Sequence, residues 1–108
     1  MRYSKELLKG STPLLVLSVL QRGDQYGYRI IRELEEASEK AFQMTEGTLY
    51  PILHALEEEG LLESYWRVFD GRNRKYYHIT RKGLRAFADK KAEWESFSGS
   101  VAKVLNYA

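Results

Sequence analysis

The chain has 108 residues, 44% hydrophobic and 30% charged, the size and composition of one small globular domain. It has no cysteine, which excludes disulfide scaffolds, iron–sulfur clusters, thiolate zinc sites and cysteine nucleophiles. The net charge of +2 is unevenly spread: residues 1–60 hold 7 lysines and arginines against 10 acids, and residues 61–108 hold 10 against 5.

Met1–Gly10 is charged and lacks the apolar segment of a secretory leader. The longest apolar run, Leu14–Leu17, falls far short of the roughly 18 residues a membrane span needs. A cytoplasmic location is therefore expected, with no membrane partner. Thr12-Pro13 reads as a helix start, a hydroxyl cap followed by proline at the first helical position. Leu14–Leu20 is apolar nearly all round, so this helix should be central to the core, and Leu7 and Leu8 form a separate short turn before it, available to a partner chain. Arg22-Gly23-Asp24 ends it, and a second helix begins at Asp24 or Gln25. On that helix Ile30, Ile31, Leu34 and Ala37 share one face.

The third segment, Thr45–Leu62, places Leu49, Ile52, Leu53 and Leu56 at helical spacing, a narrow apolar stripe. The opposite face presents Gly47, Tyr50, Pro51, His54 and Glu58. Pro51 is tolerated if the helix begins between Thr45 and Thr48, and Gly60 stops it. Gly47, with no side chain, lets a nucleic-acid backbone approach the helix tip. Glu57, Glu58 and Glu59 would repel phosphate, so any DNA contact belongs to the N-terminal half.

From Leu61 the period changes. Leu62, Ser64, Trp66 and Val68 alternate with Glu63, Tyr65 and Arg67, as in a half-buried strand. Asp70–Asn73 is turn chemistry and Arg74–Ile79 the returning strand, giving a hairpin with Arg72, Arg74 and Lys75 at its tip and one of Tyr76 and Tyr77 facing the core. Ser64–Arg85 holds seven bases against one acid, Asp70, interleaved with aromatic residues, a pattern that points to a polyanion. Thr80 caps a last helix reaching about Asn106, with Leu84, Phe87, Ala88, Trp94, Phe97, Val101, Val104 and Leu105 along it. At ~37 Å for ~25 residues it outruns the rest of so small a domain, so its distal half requires a partner chain.

Three helices followed by a basic hairpin make a winged helix-turn-helix. The expected fold is mainly α with a small β-hairpin: a DNA-binding unit over 1–80 and a C-terminal dimerisation helix over 81–108. Tyr26–Tyr28 (YGY), Glu46–Leu62 (EGTLYPILHALEEEGLL) and Arg74–Gly83 (RKYYHITRKG) stand in an order and spacing that resembles the PadR family of bacterial transcriptional regulators, in its short form with one C-terminal helix. The resemblance implies a dimeric repressor of a double-stranded DNA operator, relieved in many members by a phenolic or other hydrophobic molecule. It implies that Thr48 and Tyr50 face the DNA and that Tyr28 approaches its backbone. It also implies a place for Trp94 in a dimer interface, where paired indoles flank a flat aromatic effector, with Phe97 one turn further on.

The DNA-binding set is then Tyr28, Gly47, Thr48, Tyr50, Pro51, His54, Arg72, Arg74 and Lys75. The effector set is Trp94 and Phe97, and the subunit interface Leu7, Leu8, Trp94, Val101, Val104 and Leu105. No cofactor is expected. His54 and His78, without cysteine or clustered carboxylates, make no metal site, and no phosphate-cradling glycine motif or nucleophile elbow points to an enzyme. Two rivals remain at this stage. One is a winged helix that binds protein, favoured by the acidic end of helix three. The other is a single-strand or RNA binder that stacks bases on the hairpin aromatics.

Overall fold

Ser4, rather than Thr12, starts the first helix. In the computed structural model, which describes residues 3–108, α1 spans Lys5–Leu20, and the Ser4 Oγ accepts the Leu7 N–H at 3.3 Å. Thr12 is buried inside it and turns its hydroxyl back to donate to the Leu8 carbonyl at 2.7 Å. Pro13 removes only its own bond to the turn behind, and the surrounding turns carry the helix through. Leu7 and Leu8 therefore belong to α1 itself: Leu7 is exposed and Leu8 half-buried. The first two residues of the expected 1–80 unit lie outside the described residues.

The second helix also starts later than expected. Gln25–Tyr26 form a short strand, β1, and α2 spans Gly27–Ala37 with Tyr26 at its cap. Two residues are too few to show a period, and their pairing is long-range, with Tyr77 and Tyr76. Ile30 and Leu34 are buried and Ile31 half-buried, but Ala37 faces water at the helix end. The third helix, α3, spans Glu46–Glu58 with Thr45 as cap, its Oγ1 accepting from the Thr48 N–H at 3.3 Å. Leu49, Leu53 and Leu56 are buried and Ile52 packs beside them. Gly60, at φ +78°, ends the segment in a conformation that side chains resist.

Strands β2 (Leu62–Phe69) and β3 (Arg72–Ile79) pair antiparallel from Leu62↔Ile79 out to Phe69↔Arg72. The turn is only Asp70-Gly71, with φ of 52° and 74°, the two left-handed residues of a tight hairpin whose twist matches its strands. With β1 the sheet has three strands in the order β1-β3-β2. Half-burial holds only at its base. Leu62 is buried and Ser64 half-buried, whereas Trp66 and Val68 are 65% and 68% exposed, because the hairpin projects beyond the helices. Tyr76 and Tyr77 are both buried, one on each face of β3, rather than one in and one out.

The last helix, α4, spans Arg81–Leu105, and the Thr80 Oγ1 accepts the Gly83 N–H at 3.0 Å. The shared core joins Leu17 and Leu20 of α1, Ile30 of α2, Leu49 and Leu53 of α3, and Tyr77 and Ile79 of β3. Of α4 only the first turns reach it, through Gly83, Ala86 and Phe87. Beyond Glu95 the helix runs clear of the body, which is why the molecule measures 59 × 30 × 21 Å.

Candidate nucleic-acid interface

The leucine stripe turns one side of α3 inward and leaves Gly47, Thr48, Tyr50, Pro51 and His54 exposed on the other. At the tip the Thr45 and Thr48 hydroxyls lie 3.3 Å apart, so the cap also holds the Thr48 side chain in place. Around Gly47 the surface is open: an added Cβ would meet only the Thr45 Oγ1, at 3.9 Å. Pro51 lies in the second turn, later than its usual first-turn position. It has no N–H to offer the Gly47 carbonyl, which leaves an acceptor on the exposed face.

Tyr50 is 41% exposed, with the phenol end of its ring against Gly27 at the start of α2. Partial burial, helped by the Glu46 charge, pushes its hydroxyl above the usual phenol range, so it stays a hydrogen-bond donor at neutral pH. The phenol end of its ring thus rests on the start of α2. Tyr28 stands exposed one residue further along α2, its Oη accepting from Arg32 at 3.5 Å. His54 is exposed, one helical turn beyond Tyr50.

On the hairpin only Arg72 sits at the tip. Arg74 and Lys75 lie further down and point to opposite faces. The Arg74 guanidinium is 4.4 Å from the Tyr26 ring centroid, and its buried Nε has no hydrogen-bond partner. The Lys75 Nζ stands 5.6 Å from the Tyr77 ring centroid on the face that carries Trp66. The tight two-residue turn draws Arg72 and Asn73 into the strand and shifts the two other bases away from the end.

Arg67, not singled out from the sequence, lies directly across from Arg74 and 5.2 Å from the Tyr76 ring centroid. Two like charges face to face normally destabilise a strand pair. Here each guanidinium is laid over a tyrosine ring, which attracts it. No salt bridge to an acid engages Arg67, Arg72 or Arg74 among the described residues, so this side of the hairpin has positive charge to offer an anion.

Asp24 is the other residue that pattern reading missed. Its carboxylate accepts the Tyr65 hydroxyl at 2.6 Å and the His78 Nδ1–H at 2.8 Å, tying β2 and β3 to the turn after α1. Burial by itself would raise the Asp24 carboxyl, but the hydrogen bonds from Tyr65 and His78, with the His78 and Arg67 charges, outweigh it and hold the group below its ordinary range. No periodicity signals such a contact, because its partners are 41 and 54 residues away. Glu57 is likewise engaged, accepting the Ser64 hydroxyl at 2.6 Å, so the acidic end of α3 is in part a fastening for β2.

The model of the transcriptional regulator PadR-like family matches residues 16–89 of this chain. The chain belongs to the PadR-like family. A transcriptional regulator of Mycobacterium tuberculosis is 33% identical to it over 97 residues, 90% of this chain and 88% of that protein. A PadR family transcriptional regulator from Eggerthella lenta superposes with a TM-score of 0.84 at 36% identity, over 95% of this chain and 88% of that one. A PadR-like transcriptional regulator from Bacillus cereus gives 0.84 at 30% identity, over 96% and 100%. This PadR-like chain is thus a winged helix-turn-helix transcriptional regulator, not an enzyme.

The PadR-like match stops at residue 89, part-way along α4. Trp94, half-exposed, lines a groove of about 580 Å³ between α1 and α4 with Leu14, Leu15, Phe42 and Phe87. Phe97 stands outside that groove, 67% exposed, and Lys91 and Glu95 flank Trp94. Val101, Val104 and Leu105 are exposed, together with Tyr107, which sequence reading did not include. No described helix is long and apolar enough to cross a membrane.

Proposed function

We propose that this PadR-like protein is a homodimeric, sequence-specific repressor of double-stranded operator DNA, acting in the cytoplasm. The observation that carries the reading is the division of α3: its leucines are spent on the core, and Gly47, Thr48, Tyr50, Pro51 and His54 stand free beside a basic hairpin. In this reading the N-terminal half of α3 enters the major groove. Tyr28, Arg72, Arg74 and Lys75 meet the phosphate backbone, positioning rather than specifying.

The second copy is assigned to α4. Trp94, Phe97, Val101, Val104 and Leu105 are too much apolar surface on one projecting helix to be left in water, and we assign Leu7 and Leu8 of α1, exposed and half-buried, to the same interface. Residues 1–80 then serve as the DNA-binding unit and 81–108 as the dimerisation helix. The groove beside Trp94 is the place for a small aromatic or hydrophobic effector that relieves repression, with Phe97 contributing once two α4 faces meet. Gel shifts with an operator duplex, a random duplex and a single strand, at two salt concentrations, test the reading. Tight, salt-sensitive binding to the operator, released by a planar aromatic compound in the wild type but not in Trp94→Ala, is expected. Equal binding to single strands would overturn it.

A further inference from the structure

Gly27 opens α2 in an ordinary helical conformation, so the backbone itself does not call for glycine there. A neighbour does. A Cβ at this position would lie 3.1 Å from both Cε1 and Oη of Tyr50 and 3.4 Å from its Cζ. Carbon atoms rest comfortably at about 3.5–4.0 Å, so the ring would have to give way by several tenths of an ångström. All three contacts fall on the phenol end of the ring, and none on backbone. That end is free to lift toward solvent, since Tyr50 is 41% exposed.

We propose that Gly27 is a positioning residue for operator recognition: lacking a side chain, it seats the Tyr50 ring against α2 and so fixes where the phenol stands on the DNA-facing side of α3. The inference rests on the reading of Tyr50 as a recognition contact. A hydroxyl-to-oxygen hydrogen bond is made between about 2.5 and 3.0 Å and weakens outside that range. A displacement of several tenths of an ångström at the ring edge is therefore enough to spoil a contact with a base or phosphate. The fold is expected to be far less sensitive, because the close contacts are with the far end of one flexible side chain and not with backbone.

The test is a double-mutant cycle on operator binding with Gly27→Ala and Tyr50→Ala. Gly27→Ala is expected to weaken operator binding about three- to tenfold, the range for one lost hydrogen bond, while random-duplex affinity stays within about twofold. In the Tyr50→Ala background, Gly27→Ala should cost nothing further. Equal losses in both backgrounds would show that alanine harms the start of α2 itself, and would overturn the proposal. The NMR signals of the Tyr50 ring separate the remaining failures. Ring signals that do not move in Gly27→Ala would refute the seat. Ring signals that move while operator affinity holds, in that variant and in Tyr50→Ala alike, would refute the recognition role of Tyr50 on which the proposal stands.

Discussion

Gly83→Ala should be among the most damaging single-methyl additions this chain can receive. Gly83 is buried in the first turn of α4, where the helix crosses the segment joining α3 to β2. A Cβ there would overlap the Leu61 carbonyl oxygen and fall 3.1 Å from the carbonyl carbon and 2.7 Å from Ile79 Cγ1. Unlike a flexible ring, that carbonyl is fixed. Leu61 is buried, its N–H donates to the Leu56 carbonyl at 2.9 Å, and its oxygen accepts the Thr80 N–H at 3.0 Å. The start of α4 must then move away by about 1 Å to restore contact distances. Overpacking of this kind costs about 1–3 kcal/mol. Strain on the bonds from Thr80 to the Leu61 and Gly60 carbonyls adds about 1 kcal/mol each. Better helix propensity returns less than about 1 kcal/mol.

The net loss is about 2–4 kcal/mol. At an unfolding entropy of about 2.1 cal/mol/K per residue, 108 residues convert this to a fall in Tm of roughly 9–18 °C. Thermal unfolding at one fixed protomer concentration measures it. Gly10→Ala is the matched control: it lies within α1 with nothing within 4 Å of an added Cβ, and should raise Tm by a few degrees. A Gly83→Ala protein melting within about 2 °C of wild type would refute the packing argument.

Arg72→Ala combined with Arg74→Ala should weaken binding to every duplex and flatten the dependence of log K on log salt by about one to two units; an unchanged slope would remove the hairpin from the interface. A chain ending at Lys91 should sediment as a monomer, since it loses Trp94, Phe97, Val101, Val104 and Leu105 together; a persistent dimer would move the interface elsewhere. Acid titration tests the Asp24 contact. Because its folded carboxyl is held below the ordinary value, it stabilises the protein above that value and ceases to as pH falls through the folded one. Wild type should therefore lose stability more steeply than Asp24→Asn as pH falls from the ordinary aspartate value through the lower folded one; equal slopes would show that the carboxylate is not charged where it binds Tyr65 and His78.

What could be read from the sequence follows how local each signal is. The α3 stripe is a pattern within four turns, and Leu49, Leu53 and Leu56 are buried as it requires. Thr45, Thr80 and Gly60 mark ends by chemistry that acts within three or four residues, and the structure uses each of them so. Thr12-Pro13 misled because the same pair serves as a cap or as a back-bonded turn inside a helix, and only Ser4 upstream decides between them. β1 escaped notice because its two residues exist as a strand only through Tyr76 and Tyr77. The same limit applied to the site. The exposed face of α3 was legible, but the descent of Arg74 onto Tyr26 and the grip of Asp24 on both hairpin strands depend on contacts between distant residues.

The joint around Gly83 also decides how a signal would pass through the proposed dimer. Thr80 is tied to the carbonyls of Leu61 and Gly60, and the Lys82 Nζ donates to the Glu59 carbonyl at 2.8 Å. The first turn of α4 is therefore fixed to the point where α3 ends and β2 begins. Two α4 helices paired across a dimer would carry their α3 helices with them as rigid attachments, and the spacing of operator half-sites, about 34–36 Å per helical turn, would be set by that pairing. On its other side α4 borders the open groove with Trp94, Leu15 and Phe42, and among the described residues no hydrogen bond joins it to α1 there. In the proposed reading a flat molecule entering there would push the distal part of α4 away from α1, bending the helix beyond its tied first turns while the joint to α3 stays closed. The body of α1, α2 and α3, joined by one core, would then turn as a unit relative to the paired distal helices. On the proposed function, relief of repression would ask for no change within α3 at all, only a change in the angle at which two intact recognition units are presented.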